Sequence, residues 1–203
     1  MFKISLDQAS KEFYRQWIFR DLSLELVQGS AYALTGPNGS GKSTLTAVLM
    51  GHTLPSKGKV TYSLGEKELD YDQWHRHITL AAPYLELIEE FTLMELLQFH
   101  FKFKKPVEGL KPKDLVEIMY LEDARNKAIR FYSSGMKQRL KLGLAFFSQS
   151  EAIFLDEPTS NLDDRARQWY QDQLDKVLAD RLVVIASNVP EEYKKCQQIV
   201  SLQ

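Results

Sequence analysis

One uninterrupted run constrains this chain more than any other: Gly36-Pro37-Asn38-Gly39-Ser40-Gly41-Lys42-Ser43-Thr44. Before it stands Ala31-Tyr32-Ala33-Leu34-Thr35, which reads as a short buried strand. After it, Lys42 to Met50 carries helical spacing, and Gly51 is placed to end that helix. A strand, a glycine-rich turn and a helix in direct succession is the context in which G-x-x-x-x-G-K-[ST] cradles phosphate. Glycines at 36, 39 and 41 let the backbone turn tightly and bring its N–H groups onto phosphate oxygens. The helix behind them adds the positive end of its dipole. Lys42 then places a charge at the β- and γ-phosphates, and the Ser43 hydroxyl can ligate Mg²⁺. We expect a bound nucleotide, with Pro37, Asn38, Ser40 and Thr44 completing the loop around it.

The rest of the chain extends this into an α/β pattern. Leu22, Leu24 and Leu26 alternate as a half-buried strand does, and Lys57 to Tyr62 is strand-like between turn signals. From about Pro83 to Ala145 the character changes. Phe91 to Phe103 and Asp114 to Arg125 have helical spacing, separated by a polar, proline-containing stretch at Lys104 to Pro112. Two short apolar strands follow, Ile153-Phe154-Leu155 and Leu182-Val183-Val184-Ile185-Ala186, with a charged helical segment between them. Strands alternating with helices imply a parallel sheet. The expected organisation is a single domain over 1–203, with a core at about 1–82 and 146–203 and a helical insertion at about 83–145.

Composition narrows the setting. With 44% hydrophobic and 26% charged residues, the 203-residue chain has the balance of a soluble globular protein. Lys plus Arg (26) against Asp plus Glu (27) gives a net charge of −1, so no global electrostatic argument favours nucleic acid or an anionic membrane surface as the partner. The single cysteine, Cys196, cannot form an internal disulfide, so a reducing compartment is expected. The start reaches Asp7 before any long apolar run, unlike a signal peptide. The longest apolar runs fall well short of the roughly 20 residues that span a bilayer. His52, His75, His77 and His100 show no spacing that would build a transition-metal site.

A second acidic site lies at Ile153-Phe154-Leu155-Asp156-Glu157, an apolar strand ending in two carboxylates. Ligands of a parallel sheet collect at the carboxyl ends of its strands. There Asp156 can hold Mg²⁺ through its water shell, and Glu157 can polarise an attacking water.

These residues resemble the ATP-binding cassette (ABC) family, the nucleotide-driven motors of ABC transporters. GPNGSGKST at 36–44, YSSGMKQR at 132–139, IFLDEPTSNLD at 153–163 and VIASN at 184–188 lie in that family's order and spacing. The resemblance implies a P-loop NTPase core with a mainly parallel sheet, a small antiparallel β part and a helical subdomain. It also implies ATP sandwiched between two cassettes. Ser133 and Gly135 match the signature segment and would face the γ-phosphate of the partner's nucleotide. Read from residues alone, Ser133-Ser134-Gly135 is an ordinary helix cap, and without the family that is the preferred reading. Asp163 matches the aspartate expected near the opposing cassette. Phe13 or Tyr14 stands where the family places a ring against adenine, core packing being the plainer reading of either.

Three departures stand out. Ser134 and Met136 replace a glycine and a glutamine of the signature. The family's glutamine loop falls near Ala82-Pro83-Tyr84, where there is no glutamine. Asn188 occupies the position of the switch histidine: it can hydrogen-bond a γ-phosphate oxygen but cannot take up a proton. Hydrolysis is therefore expected to be slow and flat in pH. The resemblance implies a cytoplasmic ATPase that uses ATP and Mg²⁺. It would sit peripherally on the cytoplasmic face, pairing with a second cassette (homo- or heterodimer) and an integral membrane permease subunit. Two alternatives remain: a regulatory or weakly hydrolysing cassette paired with a competent one, and a non-transport cassette ATPase acting on nucleic acid or the ribosome. Against the latter stand the single cassette and the absence of heptads or a basic face.

Overall fold

The computed structural model describes residues 1–70 and 73–202. Strands β1 (Phe2–Phe13) and β2 (Gln16–Val27) form a long antiparallel hairpin. Tyr14 and Arg15 turn it at φ of 49° and 64°, the left-handed pair that matches a two-residue turn to twisted strands. Phe2, Ile4 and Leu6 alternate inward from β1 and are buried. Further along lie β3 (Ala31–Thr35), β4 (Lys57–Leu64) and β5 (Lys67–Glu68). The hairpin extends through β4 and β5 into an antiparallel sheet of order β2-β1-β4-β5.

A second sheet joins β3 to β6 (Ile78–Ala81), β7 (Ala152–Asp156), β8 (Leu182–Ala186) and β9 (Gln198–Ser201). Its order is β6-β7-β8-β3-β9, and every neighbouring pair is parallel. All residues of β7 and β8 are buried, as befits central strands covered on both faces. One face, with Tyr32, Leu34, Phe154 and Val184, packs on helix α1 (Lys42–Leu49) and on Phe2, Ile4 and Leu26 of the antiparallel sheet. The other face presents Ile153, Leu155, Val183 and Ile185. These meet α2 (Leu93–His100), α3 (Pro112–Ile118), α4 (Ser134–Phe146) and α5 (Asp164–Val177). A single turn, α6 (Pro190–Tyr193), follows β8. The expected α/β architecture is therefore present, with an antiparallel part and a helical stretch between β6 and β7. Among the described residues, no helix is long and apolar enough to cross a membrane.

Helix lengths differ from the periodicity. The pattern at 114–125 gives a helix only to Ile118, because Tyr120 turns left-handed at φ 53°. The pattern at 91–103 is helical over Leu93–His100, started by a capping box: the Glu95 carboxylate accepts from the Thr92 amide at 2.8 Å, and the Thr92 hydroxyl accepts from the Glu95 amide. Phe91 and Phe101 pack against the core. Phe99 and Phe103 stay exposed and meet edge to face, 5.2 Å between centroids.

Candidate nucleotide site

The glycine-rich loop leaves the carboxyl end of β3 and enters α1, with Gly41 as N-cap at φ 97°. A side chain at Gly41 would collide with Ile18 Cγ2 at 2.2 Å, and one at Gly36 would meet the Leu202 carbonyl oxygen at 2.3 Å. Both positions need glycine for space as well as for conformation. Lys42 is buried, and its ammonium folds back over the loop to donate to the carbonyls of Gly36 (2.7 Å) and Pro37 (3.1 Å). The same Pro37 carbonyl accepts from the Ser40 amide at 3.1 Å, closing the turn. Ser40 Oγ is buried without a hydrogen-bond partner among the described residues. Ser43 and Asn38 are exposed, and Thr44 is half-buried.

Asp156 ends β7, one strand away from β3 across β8, and is 3% exposed. Burial raises its pKa above the ordinary carboxylate value, and the Glu157 charge adds to this. The Ser43 hydroxyl, the Tyr84 hydroxyl and the Lys42 charge pull the other way. Asp156 Oδ2 is buried and unpartnered among the described residues. An orphaned carboxylate oxygen beside a serine hydroxyl fits the donor set of Mg²⁺, which takes one or two protein oxygens and completes its shell with phosphate and water. Tyr84, which follows β6 and is half-exposed, has its pKa pushed up to about 12, first by burial and then by the Asp156 carboxylate. It keeps its proton at neutral pH and can donate it.

Glu157 is exposed, and its backbone takes φ 42°, with its amide held by the Ala186 carbonyl at 2.9 Å. A non-glycine residue in this region is strained, and such strain is typical of functional turns. The turn carries its carboxylate past the sheet edge beside Asp156. Two residues on, buried Glu192 of α6 accepts from the Thr159 amide at 2.9 Å and also from the Thr159 hydroxyl. The segment after β8 is thereby tied to the loop after β7. Asn188, in that same segment, donates through Nδ2 to Asn38 Oδ1 of the glycine loop at 2.7 Å.

Lys42, Ser43, Asp156, Glu157, Asn38 and Asn188 thus converge on one edge of the parallel sheet. Ser133, Gly135 and Asp163 converge elsewhere, in a shallow depression shared with Asn161. Ser133 caps α4, its Oγ accepting from the Met136 amide at 3.2 Å, as the plain reading of the residues expects. Gly135 lies so close to the loop after β7 that a Cβ there would meet the Asn161 carbonyl oxygen at 2.7 Å. Asp163 caps α5, accepting from the Ala166 amide at 2.8 Å. Phe13 and Tyr14 lie at the hairpin tip, both exposed, with the Lys11 ammonium 4.7 Å from the Phe13 ring centroid. Sequence reasoning did not identify Tyr84 or Glu192 as site residues, nor the Asn38–Asn188 bond. The only signal for Tyr84 was its place in the loop that lacks a glutamine.

The ABC transporter family model matches residues 19–160. ATP-binding cassette sub-family A member 17 of Mus musculus is 32% identical over 200 residues, covering 93% of this chain and 11% of that protein. Nod factor export ATP-binding protein I of Rhizobium johnstonii is 32% identical over 207 residues, covering 98% of this chain. The chain spans 66% of that relative's own length. A dimeric ATP-binding cassette bound to ADP and Pi has the same fold, at TM-score 0.83 and 20% identity over 98% of this chain and 94% of that one. The family match runs from β2 through the glycine loop to the loop beyond Glu157, and the chain belongs to the ABC transporter family.

Proposed function

We propose that the chain is the ATP-binding and hydrolysing subunit of a transporter, which closes on ATP with a second cassette and drives a separate integral membrane subunit from its cytoplasmic face. The observation that carries this is Asp156: a buried carboxylate with an unpartnered oxygen, beside the Ser43 hydroxyl and a folded glycine loop. Residues 1–82 and 146–203 form the nucleotide-binding core, and 83–145 the arm leading to the signature serine.

In this reading, the loop amides of 36–44 hold the β- and γ-phosphates, and Lys42 turns from its two carbonyls to phosphate oxygens. Ser43 and Asp156 would hold Mg²⁺, which supplies charge neutralisation at those phosphates. Glu157 orients and polarises the attacking water. Asn188 donates to a γ-phosphate oxygen, and because an amide takes up no proton near neutral pH, hydrolysis is slow and flat across the histidine range. Ser133 and Gly135 face the γ-phosphate of the partner's nucleotide, Asp163 lies against the partner, and Phe13 or Tyr14 covers the adenine.

The test is the Glu157→Gln variant, tagged, trapped with ATP and recovered from gently solubilised membranes. A polytopic membrane protein in near-equal amount is the expected outcome. Recovery from the soluble fraction alone overturns the transporter reading. A second reading, a regulatory cassette paired with a competent one, draws on Asn188 and on the missing glutamine at 82–84. It predicts that the purified chain hydrolyses ATP only after a second, different cassette is added.

A further inference from the structure

Strands β3 and β8 are parallel neighbours, with Leu34 opposite Ala186. The Ser187 amide extends their ladder by donating to the Leu34 carbonyl at 3.1 Å. Ser187 is fully buried, and its hydroxyl accepts from the Val189 amide at 2.9 Å, so the backbone on both sides of Asn188 is held. What remains free at 188 is the exposed side chain, which left alone would sample several rotamers. Asn38 removes that freedom, because its Oδ1 accepts from Asn188 Nδ2 at 2.7 Å across 150 positions of sequence.

We propose that Asn38 is a positioning residue for Asn188: it takes one of the two N–H bonds of the Asn188 amide and leaves the other aimed at the terminal phosphate of a nucleoside triphosphate. The inference rests on the reading of Asn188 as the γ-phosphate donor. An amide nitrogen carries two protons in one plane, so it can serve a fixed acceptor and a ligand at once. A ring nitrogen of histidine carries one proton and cannot do both. The asparagine that replaces the family's histidine therefore gains an anchor on the loop that binds the phosphates. Aim at the third phosphate is built in before nucleotide arrives, which favours triphosphate over diphosphate.

The experiment compares ATP and ADP affinity by titration calorimetry with Mg²⁺ present. It uses a Glu157→Gln background to block hydrolysis, at protein concentrations where the chain stays monomeric. The readout is the ATP-to-ADP affinity ratio. Losing a hydrogen bond to a charged group in Asn188→Ala lowers that ratio about tenfold. Asn38→Ala lowers it about threefold, as expected for a lost neutral bond. The double variant falls no further than Asn188→Ala alone, since both changes remove one shared arrangement. A ratio unchanged in Asn38→Ala, or losses that add, overturns the positioning role. A ratio unchanged in Asn188→Ala overturns instead the donor role on which the inference stands.

A second measurement needs no nucleotide: the side-chain amide protons of Asn188 in the NMR spectrum. They are expected to exchange slowly with solvent in the native chain and quickly in Asn38→Ala. Fast exchange in both overturns the anchor itself.

Discussion

At the scale of single residues, Asp156 sits where burial opposes its charge, with one oxygen unpartnered among the described residues. Such a group costs stability while it serves a ligand. Asp156→Asn is therefore expected to stabilise the nucleotide-free, Mg²⁺-free protein by about 1 kcal/mol, roughly 2–4 °C in a chain of this size. Hydrolysis should be abolished in the same variant. Thermal melts at neutral pH with and without Mg-ATP check both the gain and its reversal when the wild-type site is filled. The glycine loop offers a second contrast. A Cβ at Gly36 meets backbone at 2.3 Å, whereas one at Gly39 meets nothing within 4 Å. Gly39→Ala carries only the conformational cost of its positive φ, about 1–2 kcal/mol. Gly36→Ala adds a clash with a carbonyl that cannot step aside, and should exceed that cost clearly in urea denaturation.

At the scale of elements, His100 closes α2 onto the end of α4. Ser148 donates its hydroxyl proton to the Leu144 carbonyl at 2.6 Å, so it must accept from His100 Nε2, 2.8 Å away. Burial, aided by the charge of Lys104, pushes the His100 pKa down to about 4. The unfolded chain takes up a proton there near pH 6.5, while the folded chain resists until about pH 4. The stability that depends on neutral His100 is thus fully present above pH 6.5 and is lost as pH falls toward 4. We expect a loss on the order of 2 kcal/mol across that window in the wild type. It should be absent in His100→Gln, and urea midpoints between pH 7 and pH 4.5 test the difference. Elements carried by unbroken apolar runs were legible from sequence: β3 and β8 begin and end where those runs do. β1 was not, because its alternation slips between Leu6 and Ala9, where Gln8 takes φ 47° and the register shifts. A one-residue slip swaps the inward and outward faces and erases the period of two. β6 and β9 span only four residues each, and β9 exposes Ile199 at the sheet edge, so backbone pairing defines it more than pattern does.

At the scale of the whole molecule, the same contrast divides the site. Lys42, Ser43, Asp156 and Glu157 were legible because each lies in a contiguous motif with its own chemistry. The partnership of Asn38 with Asn188, and that of Tyr84 with Asp156, depends on strand order, which no local pattern encodes. Ser133 and the glycine loop occupy separate clusters of one chain, so the proposed two-cassette site takes the glycine loop from one copy and Ser133 from the other. A mixture of Lys42→Ala and Ser133→Ala chains, each inactive alone, should regain roughly a quarter of wild-type ATPase, because half the dimers are mixed and one of their two composite sites is intact. No recovery on mixing would show that the chain does not form a working homodimer. Helix α4 joins these clusters mechanically. From the end capped by Ser133, it reaches the loop after β7 through Gln138, which donates to the Pro158 carbonyl, and the loop after β6 through Lys141, which donates to the Pro83 carbonyl. A rod pinned at both loops cannot tilt at its tip without straining the ground beneath Glu157 and Tyr84. In the proposed pairing each copy is in this way an instrument for reading its neighbour's fuel, and linkage requires the message to run equally in both directions.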